Sequence, residues 1–181
     1  RHIRPELESR DRNRPLPKDA MLRIFEVFAR EGLTAPRLPG ELGGSGMRML
    51  DYGLVFEQLP PVIANSLISH EVTVTRIGLG SEEEQRRRLL PDLIAGRKIC
   101  CTGTTEPDTG SDPRGVKTRV HADGDHLVIN GRKMWITNAS ISDVVVVTCS
   151  AGTDSNGRNL LQRVAVERSV SPYETREIEC L

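Results

Sequence analysis

Across 181 residues, 25 basic side chains balance 25 acidic ones and only 3% of the residues are aromatic. A chain with no net charge and so few flat rings is poorly suited to nucleic acid or to an anionic membrane surface. No apolar run approaches the roughly 20 residues of a membrane span, and the opening Arg-His-Ile-Arg-Pro-Glu lacks the apolar stretch of a secretory signal. Cys100, Cys101, Cys149 and Cys180 show no C-x-x-C spacing. Buried, reduced thiols, a cytoplasmic location and no metal site are therefore expected.

The first half reads as helical. Pro17 suits a first helical turn, Leu22, Phe25, Phe28 and Ala29 form an apolar stripe, and Gly32 can end the helix. Residues 36–46 are too rich in Gly and Pro for a regular element and are expected to form a loop. Asp51 is placed to cap a second helix, which Pro60-Pro61 interrupts before a third helical stretch runs towards Gly78. Ser81 with Glu84 reads as a capping box for a fourth helix that ends near Gly96. Arg86-Arg87-Arg88 on that helix follows three glutamates and is expected to be a solvated face with local ion pairs.

From Lys98 the period changes. Residues 98–103, 117–122, 126–130, 133–137, 143–149 and 163–168 are short and rich in Val, Ile and Thr, as strands are. Asp123-Gly124 and Asn130-Gly131 are hairpin signals between them. The expected organisation is a helical domain over 1–97 and a β domain over 98–181. Gly152 to Gly157 is read as an exposed loop.

Two stretches carry the chemistry. Residues 104–112, Thr-Thr-Glu-Pro-Asp-Thr-Gly-Ser-Asp, form a turn dense in hydroxyls and backbone donors, able to converge on an anion or a polar ring edge. Residues 133–138, Lys-Met-Trp-Ile-Thr-Asn, put the single tryptophan, Trp135, two positions before Thr137. In an extended segment those two side chains share a face, a flat stacking surface beside a hydroxyl. A planar, heteroatom-rich cofactor joined to phosphates needs both, and flavin nucleotide is the candidate. Glu106 is expected to stabilise its own loop; His70 and His126 are expected to pack or face solvent, and Asp125 and Asp143 to serve at a turn and a strand end.

These residues carry a resemblance. Thr104 to Asp112 resembles the T-E-P-x-x-G-S-D signature of acyl-CoA dehydrogenases, followed at the family's spacing by Gly124-Asp125, Asn130-Gly131, Lys133, Trp135 to Ala139 and Asp143. Upstream, Glu41 to Met47 is similar to the family's E-x-G-G-x-G loop. The resemblance implies an α+β fold: an all-α N-terminal domain, then an antiparallel β-barrel-like domain that is incomplete here. The family's C-terminal four-helix domain is expected to be absent from this chain. It implies FAD, α-proton abstraction from an acyl thioester with hydride transfer from the β carbon to flavin N5, electron-transfer flavoprotein as acceptor, and a homodimer or homotetramer in the full-length form. By matched position, Thr104 and Thr105 would bond the flavin's polar edge and Gly110 and Ser111 would lie by the pyrophosphate. Ser111 would also reach the acyl carrier, Trp135 would cover one ring face, and Thr137 would bond N5.

Asp108-Thr109 stands where most members have Gly-Ala, which keeps both acyl-CoA and acyl-carrier-protein thioesters open as substrates. The family's catalytic glutamate comes from the C-terminal domain, so no catalytic base is assigned in this chain, and the chain is expected to be part of a longer enzyme. An acyl-CoA oxidase or flavin monooxygenase relative, and a non-catalytic stub that assembles with a complete subunit, are the alternative readings.

Overall fold

A computed structural model describes residues 7–8 and 15–178; the rest of the chain, including the opening residues 1–6 and Cys180, lies outside the described set. Among the described residues, the helices Lys18–Arg30 (α1), Met49–Glu57 (α2), Pro61–Gly80 (α3) and Glu83–Ile94 (α4) precede a five-stranded sheet of Cys100–Gly103 (β1), Arg119–Asp123 (β2), His126–Asn130 (β3), Val144–Thr153 (β4) and Asn159–Glu167 (β5). The architecture is α+β. None of the described helices is long and apolar enough to cross a membrane.

Helix α1 forms because Met21, Ile24, Phe25 and Phe28 recur at helical spacing and all point inward. Gly32 ends it at φ +70°. Residues 36–46 are an ordered loop: Leu38 is fully buried, and the Gly46 and Ser45 amides bond the Leu38 and Ala35 carbonyls at 2.9 and 3.1 Å. Two caps fall elsewhere than expected. Arg48 precedes α2, with Asp51 inside the first turn and paired to the Arg48 guanidinium at 2.8 Å. The capping box of α4 uses Glu82 and Gln85, one position later than Ser81 and Glu84, the Glu82 amide donating to the Gln85 side chain at 3.3 Å. Of the three arginines on α4, Arg87 pairs with Glu83 locally, while Arg88 reaches Glu167 of β5 at 2.9 Å and ties helix to sheet.

The sheet is mixed rather than purely antiparallel. β4 is its centre: β1 runs parallel to Val144–Val147, β2 touches it through Arg119 and Ser150, and β5 pairs antiparallel along its length. The parallel pair arises because the chain makes a long excursion between β1 and β4, which lets β4 return in the same direction. The β2–β3 hairpin turns at Gly124, φ +56°, with Asp123 opposite His126.

Asn130-Gly131 makes no hairpin. Gly131 is needed instead for close approach, since a Cβ there would stand 2.2 Å from the Thr118 hydroxyl. Residues 133–137 are not a strand either.

Helices and sheet share a core. One apolar cluster joins Leu38, Val74, Ile77, Leu89 and Leu93 to Cys100, Val144 and Val146; a second joins α1 to Phe56, Ile63, Leu67 and Ile99. Asp143, just before β4, accepts the Ile99 amide at 2.9 Å and pairs with Lys18 of α1. Cys100, Cys101 and Cys149 are free and buried.

Candidate functional site

The loop after β1 is organised by Glu106, which is buried. Its backbone exchanges two hydrogen bonds with Thr109, at 2.8 and 3.2 Å, closing a tight turn over Pro107-Asp108. Its carboxylate accepts the Lys117 and Thr118 amides at 2.7 and 2.9 Å, the Thr118 hydroxyl, and the Lys133 ammonium at 2.8 Å. Burial pushes the Glu106 carboxyl up, but the Lys133 ammonium, the Thr118 hydroxyl and the two amides together outweigh it and hold the pKa at about 2. The expectation that Glu106 stabilises its own loop agrees with this geometry. A carboxylate so placed is a poor proton acceptor.

Lys133 is the second half of the device. Its ammonium donates to the Thr104 and Thr148 carbonyls at 3.1 and 2.6 Å as well as to Glu106, so each of its three donors has a partner. The Met134 amide adds a bond to the Thr105 carbonyl at 2.9 Å. Loop 104–111 and segment 133–138, separate in sequence, are thereby one surface.

Segment 133–138 corrects one expectation. Trp135 and Thr137 do not share a face of an extended strand, because Trp135 sits at φ +60° and Asn138 at φ +69°. Left-handed backbone is uncommon for a bulky side chain. Here it follows from docking on α3: Ser66 donates to the Asn138 side-chain oxygen at 2.6 Å, the Asn138 amide donates to the Ser66 carbonyl at 2.8 Å, and Ser69 donates to the Thr137 carbonyl at 3.1 Å. The turn leaves Trp135 65% exposed.

The six residues singled out in the sequence fall as follows. Thr104 is half-buried and its hydroxyl pairs with that of Thr148 at 3.1 Å. Thr105 is half-buried and Ser111 exposed, and neither hydroxyl bonds another described residue. Gly110 is exposed, and a Cβ added there would meet nothing within 4 Å. Thr137 is half-buried and accepts from Asn65 at 3.4 Å. An exposed indole, free hydroxyls and open space beside a glycine fit a flat ring with a polar edge and a phosphate tail.

Asp108 and Thr109 belong to the loop's own fabric. Asp108 pairs with Lys117 at 2.7 Å on the surface, and the Thr109 hydroxyl donates to the Gly115 carbonyl at 3.0 Å.

Two polar groups on α3 carried no signal in the sequence. His70 is fully buried, accepts the Cys100 amide at Nδ1 (3.1 Å) and donates from Nε2 to the Leu93 carbonyl (3.1 Å). Burial lowers its pKa to about 4. Glu71, also fully buried, takes a two-point bond from Arg37 at 2.8 and 3.1 Å and a third from the Tyr52 hydroxyl at 3.1 Å. Burial, then the Glu71 charge, pushes Tyr52 up to about 12. A lone His and a lone Glu among helical residues have no spacing to mark them.

Residues 1–97 match the model of the acyl-CoA dehydrogenase N-terminal domain, and residues 101–179 match that of the middle domain. The chain belongs to the acyl-CoA dehydrogenase family. The chain is 32% identical over 186 residues to a probable acyl-CoA dehydrogenase of Bacillus subtilis, an alignment covering 96% of the chain and 47% of that protein. A probable acyl-CoA dehydrogenase from Mycobacterium abscessus has a similar fold, with a TM-score of 0.78 at 27% identity over 93% of this chain and 45% of that one. An acyl-CoA dehydrogenase from Bacillus anthracis, solved in complex with FAD, aligns with a TM-score of 0.70 at 31% identity, over 83% of this chain and 26% of that one. The chain spans less than half the length of the curated relatives it matches.

Proposed function

We propose that this chain supplies the N-terminal helical unit (1–97) and part of the middle β unit (98–181) of an FAD-dependent acyl-thioester dehydrogenase. Bound FAD would supply the redox chemistry, accepting hydride from the acyl β carbon. The Lys133–Glu106 pair joins the two cofactor-facing segments into one surface, and that observation carries the reading. On that surface Thr104 and Thr105 would bond the ring's polar edge, Gly110 and Ser111 would face the pyrophosphate, Trp135 would stack on the ring, and Thr137 would offer its hydroxyl beside the hydride-accepting atom. Glu106 is no candidate for the proton-abstracting base, because its carboxylate is held by its own loop and has a pKa of about 2. By resemblance that base is a glutamate of a C-terminal helical domain.

The substrate is an acyl thioester of CoA or of an acyl carrier protein, with Asp108 and Thr109 at the edge where Ser111 would meet the carrier. Electron-transfer flavoprotein is the proposed acceptor, and a homodimer or homotetramer the proposed assembly.

The test uses the natural polypeptide that contains this chain. It is purified, its flavin spectrum recorded, and acyl thioesters are added without oxygen. Bleaching of the oxidised flavin band supports the dehydrogenase. Rapid peroxide formation on admitting air points to an oxidase instead, and a well-folded protein with no affinity for flavin sinks both. Trp135→Ala and Thr137→Ala are expected to weaken FAD binding and slow reduction; wild-type values in both would remove the site assignment.

A further inference from the structure

The hydrogen bonds that Thr137 makes among the described residues both run to α3, one to its carbonyl from Ser69 and one to its hydroxyl from Asn65. The next residue, Asn138, is clasped at two points by Ser66. Asn65, Ser66 and Ser69 stand within about one turn of α3. No β ladder fixes segment 133–138, so its placement depends on this clasp and on the anchors at Lys133 and Met134.

We propose that Asn65, Ser66 and Ser69 are positioning residues that set the Thr137 hydroxyl against the cofactor, so that α3 and the cofactor face are energetically coupled. The proposal rests on the FAD reading above. The chemistry of the donors supports it. The Asn65 amide donates to the Thr137 oxygen, which leaves the hydroxyl proton free to donate to a ring acceptor. Asn138 is among the few L-residues that accept left-handed backbone readily, and its side-chain amide presents one donor and one acceptor to the matching pair on Ser66. Helix α3 also carries His70, bonded to β1 and α4, Glu71, bonded to the Arg37 loop and α2, and Thr73, bonded to β1. A displacement of α3 by a bound acyl chain or a partner would therefore reach Thr137 through the Asn65, Ser66 and Ser69 contacts.

A double-mutant cycle in the natural polypeptide tests the coupling, read as the dissociation constant for FAD and the absorption band of the bound flavin. Ser66→Ala and Asn138→Gly, the latter keeping a residue that tolerates φ +69°, are each expected to weaken FAD about tenfold and shift the band. Asn138→Gly removes both clasp bonds and Ser66→Ala only the hydroxyl one, so the double variant is expected to be no weaker than Asn138→Gly alone. Additive losses, or wild-type affinity and spectrum in Ser66→Ala, overturn the proposal while leaving the FAD reading intact. No FAD binding by the wild-type protein overturns both.

Asn65 is exposed, so Asn65→Ala keeps the test decisive should Ser66→Ala fail to fold. It is expected to weaken FAD binding when Thr137 is present and to have no effect in a Thr137→Ala background. An equal loss in both backgrounds overturns the proposal.

Discussion

Glu106 and Lys133 show how one ion pair can define a surface. Both are almost out of water, with side-chain exposures of 4% and 13%, and both are fully hydrogen-bonded, which is the condition under which a buried pair is tolerable. Glu106→Gln leaves the ammonium without its counter-charge and is expected to cost about 3 kcal/mol, measured by urea denaturation at pH 7. The same carboxyl sets a pH window. Its pKa is depressed from 4.5 to about 2, so its contribution is fully present above pH 4.5 and is lost as the pH falls through 2. In Glu106→Gln this acid limb should flatten.

The two segments of the candidate site were legible at this scale because clustered hydroxyls and a lone tryptophan stand out in a charge-balanced chain with few aromatic residues. The conformation of Trp135 was not legible. Nothing in Met-Trp-Ile-Thr signals left-handed backbone, which comes from Asn138 being docked on a helix some 70 positions earlier in the chain. Gly131 misled for a related reason: local rules read a glycine as a turn, whereas this one clears room for Thr118.

Among the elements, α3 is bonded to the Arg37 loop, to α2 and α4, and to β1. Its His70 is buried as the neutral form, so the imidazole must remain uncharged for the Cys100 amide to be satisfied. With a pKa of about 4 when folded against 6.5 when free, the unfolded chain binds the proton more readily throughout that interval. Stability is therefore unaffected above pH 6.5, falls as the pH drops from 6.5 to 4, and loses roughly 3 kcal/mol in all. Chemical denaturation at pH 7, 5.5 and 4 measures this slope, and His70→Asn should reduce it. An unchanged slope in that variant would remove His70 as its source.

Helices and strands were readable from periodicity and follow the expected order, except that 133–137 forms no strand. The cap of α4 was misplaced because several polar residues in a row compete for one role in Ser81-Glu82-Glu83-Glu84, whereas α2 begins earlier than Asp51 signals, at Met49 after Arg48.

For the whole molecule, the helical and β portions share an apolar cluster that runs from Leu38 and Val74 to Cys100, Val144 and Val146. Arg88–Glu167 and Lys18–Asp143 cross the same boundary. Leu38→Ala, at a fully buried site, should cost about 2–5 kcal/mol. Helical and β signals should then melt on one curve, followed by circular dichroism and by amide exchange of β4. Two separated transitions would show that the shared cluster does not couple them.

The α+β class was legible because the hydrophobic period switches near Lys98. The parallel pairing of β1 with β4 was not, since strand direction is decided by the path of the intervening chain rather than by strand composition. Met49, Leu50 and Leu54 of α2 remain 63%, 70% and 56% exposed, an apolar face that nothing among the described residues covers.

The buried thiols of Cys100, Cys101 and Cys149 have a practical consequence. They stand on two adjacent strands, β1 and β4, shielded from reagents in the native state. Pulsed alkylation read by mass spectrometry at each position therefore becomes a clock for opening of the sheet. It would time the separation of β1 from β4 at sites the sequence itself supplies, without any introduced label.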